Sequence, residues 1–205
     1  METMEKTPKI IVFAASPRKD GNTEIVLTKI IEGIRSAGAD VEIYRTHDLN
    51  IQPCTGCGEC AKRGRCVIND EFQDIFDRLI ACDGIVFASP LYFMNVPARG
   101  KALIDRCQAF WSAKKLLKLD LFDGRKRYGL LVSCSGASAG PGGSPVFRGI
   151  EDTMTYVFDA LSAEMMKSLL FPRIDKKGMI TDLPGALEQA RLKGIEIVNL
   201  IKGKV

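Results

Sequence analysis

Residues 9–36 read KIIVFAASPRKDGNTEIVLTKIIEGIRS, and they decide the fold. Ile10, Ile11, Val12, Phe13 and Ala14 form an unbroken apolar run rich in β-branched side chains, the pattern of a strand buried on both faces of a parallel sheet. A polar turn from Ser16 to Thr23 follows, and from Ile25 onward Leu27, Ile30, Ile31 and Ile34 recur at helical spacing. The unit is strand, polar turn, helix. Such a turn suits a phosphate: Gly21 permits a tight bend, the first helical amides are free, Ser16, Asn22 and Thr23 add donors, and Arg18 adds charge. An ordinary capped turn would look similar, since neither the dinucleotide glycine triplet nor the P-loop pattern is present.

The same alternation continues to the end of the chain. Val41 and Ile43 alternate with polar neighbours in an outer strand, residues 84–88 and 128–133 are further apolar strands, and residues 165–171 make a fifth. Helices are predicted over 70–81, 97–118, 149–162 and 184–202. Alternating strands and helices imply a doubly wound parallel α/β sheet with helices on both faces. The 205 residues suit one domain, 1–205, with a core that needs no staples.

Composition narrows the function classes. Lys and Arg number 29 against 25 Asp and Glu, a net charge of +4 that is scattered along the chain, so no nucleic-acid surface is expected. The basic residues Lys114, Lys115, Lys118, Arg125, Lys126 and Arg127 are expected on a solvated face. No run approaches membrane-span length and METMEKTPK lacks the apolar core of a leader, so a cytoplasmic protein is expected. His47, the one histidine, has no catalytic motif beside it and is expected at the surface.

Seven cysteines in a reducing compartment point to metal or redox chemistry. Cys54, Cys57, Cys60 and Cys66 have the spacing C-x2-C-x2-C-x5-C, with Gly56, Gly58 and Gly64 able to wrap the loop. Three readings compete: an iron-sulfur cluster, whose irons each take one thiolate; a zinc ion, which usually draws two separated cysteine pairs; or free thiols. Cys82, Cys107 and Cys134 stand alone and are expected to be small buried apolar residues.

Two more loops leave strand ends. Pro90, Leu91, Tyr92, Phe93 and Met94 would be costly if fully exposed, so this loop should cover something flat and apolar, the core, or a second copy. The exit CSGASAGPGGSPVF is rich in Gly and Ser and can approach a ligand closely through Ser133, Ser135 and Gly136.

A strand followed by S-P-R-x-x-G-N-T resembles the FMN-phosphate loop of the NAD(P)H-dependent FMN reductase branch of the flavodoxin-like superfamily. Ser89 to Ala98 resembles that family's S-P-x-Y-x-x-x-x-P/S-A flavin loop, and the cysteine spacing is similar to that of its iron-sulfur flavoprotein group. The resemblance covers most of the chain. It implies a five-stranded sheet of order 2-1-3-4-5 and an FMN whose phosphate is held by Ser16, Arg18, Asn22 and Thr23. The ring would meet Pro90, Leu91, Tyr92, Phe93, Ser133, Ser135 and Gly136. A [4Fe-4S] cluster would sit on Cys54, Cys57, Cys60 and Cys66 and face the flavin of a neighbouring subunit, in a homodimer or a dimer of dimers.

The implied activity is electron transfer between NAD(P)H or a one-electron carrier of ferredoxin type and an acceptor. No side-chain acid, base or nucleophile is expected, because the cofactors carry the chemistry. A cluster-free NAD(P)H-dependent reductase of FMN or quinones shares the fold and flavin site. A non-catalytic sensor would bind either group without turnover.

Overall fold

The computed structural model describes residues 6–204; the first part of the METMEKTPK stretch lies outside the described residues. Strand β1 (Lys9–Ala14) is an inner strand of a wholly parallel sheet, paired with the edge strand β2 (Asp40–Arg45) on one side and with β3 (Gly84–Pro90) on the other. β4 (Tyr128–Cys134) continues the sheet beyond β3. The order is therefore 2-1-3-4 followed by the fifth position, as expected.

That fifth position holds two short segments. β5 (Glu164–Met165) pairs with Tyr128 and Gly129, and β6 (Leu169–Phe171) pairs with Val132 to Cys134. From Met165 to Leu169 the outer chain takes four steps where β4 takes three from Gly129 to Val132. The single strand expected over 165–171 is thus broken by one extra residue, a bulge of the kind tolerated at a sheet edge.

Alternation along the strands feeds two cores. Ile10, Val12 and Ala14 face α1 (Asn22–Ser36) and α7 (Ala186–Ile201), whereas Ile11 and Phe13 face α3 (Phe72–Ala81) and the helices beside it. α1 and α7 cross at two glycines. A β-carbon on Gly33 would lie 2.0 Å from the Arg191 carbonyl oxygen, and one on Gly194 would lie 2.1 Å from that of Ile30. Only glycine permits this approach.

The long helix expected over 97–118 is divided. α4 (Ala98–Arg106) ends at Cys107, α5 (Gln108–Trp111) follows, and Ser112–Leu116 forms a π-helical turn. π-turns of this sort re-aim side chains locally. α6 (Arg148–Ala160) completes this face, and among the described residues no helix is long and apolar enough to cross a membrane.

One member of the expected solvated basic face is buried. Arg127 is 1 % exposed and lies over the Phe122 ring. Its guanidinium donates to the carbonyls of Leu79 (2.5 Å), Cys82 (3.0 Å) and Leu161. Those carbonyls close α3 and α6, where a cation satisfies the otherwise unpaired helix ends. Lys115, Lys118 and Lys126 are exposed, and His47 is also at the surface.

Candidate functional site

The turn after β1 is built from its own side chains. The Arg18 amide donates to Ser16 Oγ at 3.2 Å, and the Gly21 amide to the Arg18 carbonyl at 3.4 Å. Gly21 is extended at the N-cap of α1, and no side chain caps the helix, so its first amides remain available to an anion. A cleft of about 130 Å³ opens there, walled by Ser16, Arg18, Gly21, Asn22 and Thr23. Pro90, Leu91 and Tyr92 enter from β3, Cys134 and Gly136 from β4, and Ile174, Asp175 and Lys177 from the segment after β6. Four carboxyl ends of a parallel sheet thus converge, the usual ligand edge of a doubly wound fold.

Most residues expected at an FMN lie in this cleft, but some do not. Asn22 borders it, yet its side chain is engaged elsewhere: Nδ2 donates to the Lys176 carbonyl at 2.9 Å, and Oδ1 accepts from the Ile180 amide at 3.3 Å. It tethers the wall that follows β6. Phe93 is fully solvent-exposed at the tip of a Tyr92–Asn95 turn in which Phe93 and Met94 have φ of 46° and 65°. Positive φ at both central residues is costly without glycine, and such strain is found at functional sites. Ser133 is buried inside β4, and Ser135 Oγ accepts from the Ala137 amide at 3.1 Å. Gly136, the third residue named from this loop, does line the cleft, and strand alternation places Cys134 beside it.

The sequence reading did not anticipate Ile174, Asp175 and Lys177. Their only signal was position, at the exit of a fifth parallel strand. A β-carbon on Gly136 would meet Asp175 Oδ1 at 2.9 Å, so that glycine is what lets this wall approach.

A second cavity, of about 270 Å³, is lined by Cys54, Cys57, Cys60 and Cys66 together. Gly56, Gly58 and Gly64 all have positive φ, which lets the short loop curl around it. Val67, Ile68, Ala109 and Leu116 supply apolar walls, while Arg106 and Ser112 supply donors. Cys60 Sγ lies 3.4 Å from Ser112 Oγ. Among the described residues no three metal-binding side chains are drawn into a coordinating array. The donor set nevertheless fits a soft metal or cluster: four potential thiolates around one partly apolar space.

Behind this cavity Arg106 and Asp70 form an ion pair at 2.7 Å with side chains 0 % and 2 % exposed. Burial works against the Asp70 carboxylate, but bonds from Arg106 and from the Gln52 and Phe72 amides outweigh it and hold its pKa below the usual range. Neither partner was singled out from sequence.

The lone cysteines are buried. Burial pushes the Cys134 thiol up to about 11 despite a hydrogen bond from Thr23, and pushes Cys107 up to about 12. In metal-free protein at about pH 8, iodoacetamide is expected to label the exposed Cys54 and Cys57 first and to leave Cys82, Cys107 and Cys134 unmodified until unfolding. Peptide mass spectrometry of timed samples checks this; early labelling of Cys134 would contradict the burial.

Residues 8–144 match the family model described as NADPH-dependent FMN reductase. An iron-sulfur flavoprotein of Methanosarcina thermophila is 32 % identical over 146 residues, covering 71 % of this chain and 72 % of that protein. One from Methanocaldococcus jannaschii is 36 % identical over 98 residues, 48 % of this chain, and the chain spans about half of its length (51 %). Among solved structures, an NAD(P)H:quinone oxidoreductase from Methanothermobacter marburgensis superposes with a TM-score of 0.71 at 16 % identity, covering 95 % of this chain and 98 % of that one. An archaeal flavodoxin superposes at 0.51 with 14 % identity over 96 % and 99 % of the two chains, a likeness of fold.

Proposed function

Because this chain belongs to the NADPH-dependent FMN reductase family of flavin-dependent oxidoreductases, we propose that it pairs an FMN with a [4Fe-4S] cluster and moves electrons between a two-electron and a one-electron partner. The observation that carries this reading is the shared cavity: all four cysteines of the compact motif wall one space. An FMN supplies hydride or single-electron chemistry when bound, and a cluster supplies single-electron transfer. The chain's own part is to bind and orient.

The free amides at the start of α1, Ser16 Oγ and Thr23 receive the phosphate, with Arg18 and Lys177 as the cations at that cleft. Leu91 and Tyr92 border the ring and exclude water from one side. The cleft and the cysteine cavity share no lining residue, and Cys54 and Cys57 are exposed. This supports transfer between copies of the chain, from the cysteine loop of one to the flavin of another. NAD(P)H or a ferredoxin-like carrier is the proposed electron source.

The deciding experiment is iron, acid-labile sulfide, zinc and FMN per chain on protein purified without oxygen, with spectra before and after dithionite. About four irons and four sulfides per flavin support the reading. FMN alone, even after anaerobic reconstitution, would leave a cluster-free reductase of FMN or quinones. Binding of either group without oxidation of NAD(P)H by any acceptor would leave a sensor.

Arg18→Ala is expected to weaken FMN binding about tenfold, equivalent to ~1.4 kcal/mol, since an exposed guanidinium contributes only a screened charge-assisted bond. Titration of apoprotein into FMN, followed by fluorescence quenching, measures it. Unchanged affinity would move the phosphate away from the β1–α1 turn.

A further inference from the structure

Arg106 has five N–H groups, and four are occupied. Nη1 donates to Asp70 Oδ2 at 2.7 Å and to the Gln52 carbonyl at 2.9 Å. Nη2 donates to Asp70 Oδ1 at 3.0 Å and to the Ile68 carbonyl at 3.2 Å. The fifth, on Nε, is buried and has no partner. The residue lines the cysteine cavity together with Cys66.

A buried N–H of a charged group without an acceptor is unfavourable, and native structures retain few of them. Here every other bond of the guanidinium serves to hold it still. The carboxylate and two carbonyls fix its plane, and the Phe72 ring lies against it at 4.7 Å. Ser112 reaches the same cavity from the π-helical turn and meets Cys60. The two donors therefore stand on one helical wall of the cavity, Ser112 beside Cys60 and Arg106 with its Nε–H still unpaired.

We propose that Arg106 Nε–H and Ser112 Oγ–H are hydrogen-bond donors to the sulfurs of the group held by the four cysteines, and that they raise its reduction potential. The proposal rests on the cluster reading above. Donors to cluster sulfur stabilise the more negative, reduced state, so removing one makes reduction harder. Asp70 acts through Arg106 and is a positioning residue.

The test is a redox titration of the holoprotein, followed by the electron paramagnetic resonance signal of the reduced cluster, in wild type, Arg106→Lys and Ser112→Ala. Lysine keeps the charge beside Asp70 but has no Nε–H. Both variants are expected to retain iron and sulfide at wild-type stoichiometry and to titrate at more negative potentials, with lysine giving the larger shift. Potentials equal to wild type in variants that keep their iron would overturn the inference. Should Arg106→Lys fail to fold, Ser112→Ala decides: a shifted potential supports the proposal and an unshifted one rejects it. Wild-type protein that takes up no iron or sulfide would instead overturn the cluster reading, and the two failures are distinguishable.

Discussion

With Cys57 replaced by serine, the protein is expected to lose its iron, falling from about four atoms per chain to fewer than one, while FMN remains stoichiometric. The sulfur removed belongs to the cavity that all four cysteines share, and it is exposed, so its loss leaves no void in either core. A serine hydroxyl is a poor ligand for a site that selects soft thiolates. No residue of the flavin cleft lines that cavity. Metal analysis together with flavin released by heat reads both numbers from one sample. Loss of FMN along with iron would show that the two sites depend on each other; retention of iron would remove Cys57 from the ligand set.

The second large effect is on stability. Arg127→Met should destabilise the fold by about 3–5 kcal/mol, because the buried Cys82 and Leu161 carbonyls lose their donor, that of Leu79 keeps only the weak thiol of Cys82, and an unpaired buried carbonyl costs about 1–3 kcal/mol. Methionine fills much of the volume, which keeps the change to polar satisfaction rather than cavity formation. Lys126→Met, at the neighbouring exposed position, should stay within about 0.5 kcal/mol. Urea unfolding of the two apoproteins, followed by circular dichroism, compares them directly. Equal midpoints would mean that water reaches those carbonyls when Arg127 is absent.

Arg127 also shows where a sequence stops being legible. Lys126 and Arg127 are adjacent cations in the same local pattern, and only the convergence of two helix ends on one of them separates core from surface. The strands β1, β3 and β4 were readable because apolar runs of their length have few alternatives. The bulge in the fifth strand was not, since it depends on pairing with a distant neighbour. An apolar run also carries no alternation to phase it, so the reading named Ser133 and Ser135 beside Gly136, whereas the pleat presents Cys134 together with Gly136. Phe93, which the resemblance put at the ring, is exposed at the tip of a turn with two positive φ values. The cysteine quartet was readable from spacing alone. Arg106 was not, because nothing local distinguishes a helical arginine that faces a cavity from one that faces water.

The glycine crossing of α1 and α7 has a mechanical consequence for the cleft on the sheet's edge. The segment that supplies Ile174, Asp175 and Lys177 is strung between β6 and α7, and α7 is seated against α1 with no clearance for a methyl group at Gly33 or Gly194. Asn22, at the start of that same α1, grips the segment in the middle. One helix therefore serves as the splint for both jaws: its first turn presents the anion-binding amides, and its third turn locks the anchorage of the opposing wall. A truncation within α7 would spare every residue of the β1–α1 turn and still leave the cleft with one jaw unsupported.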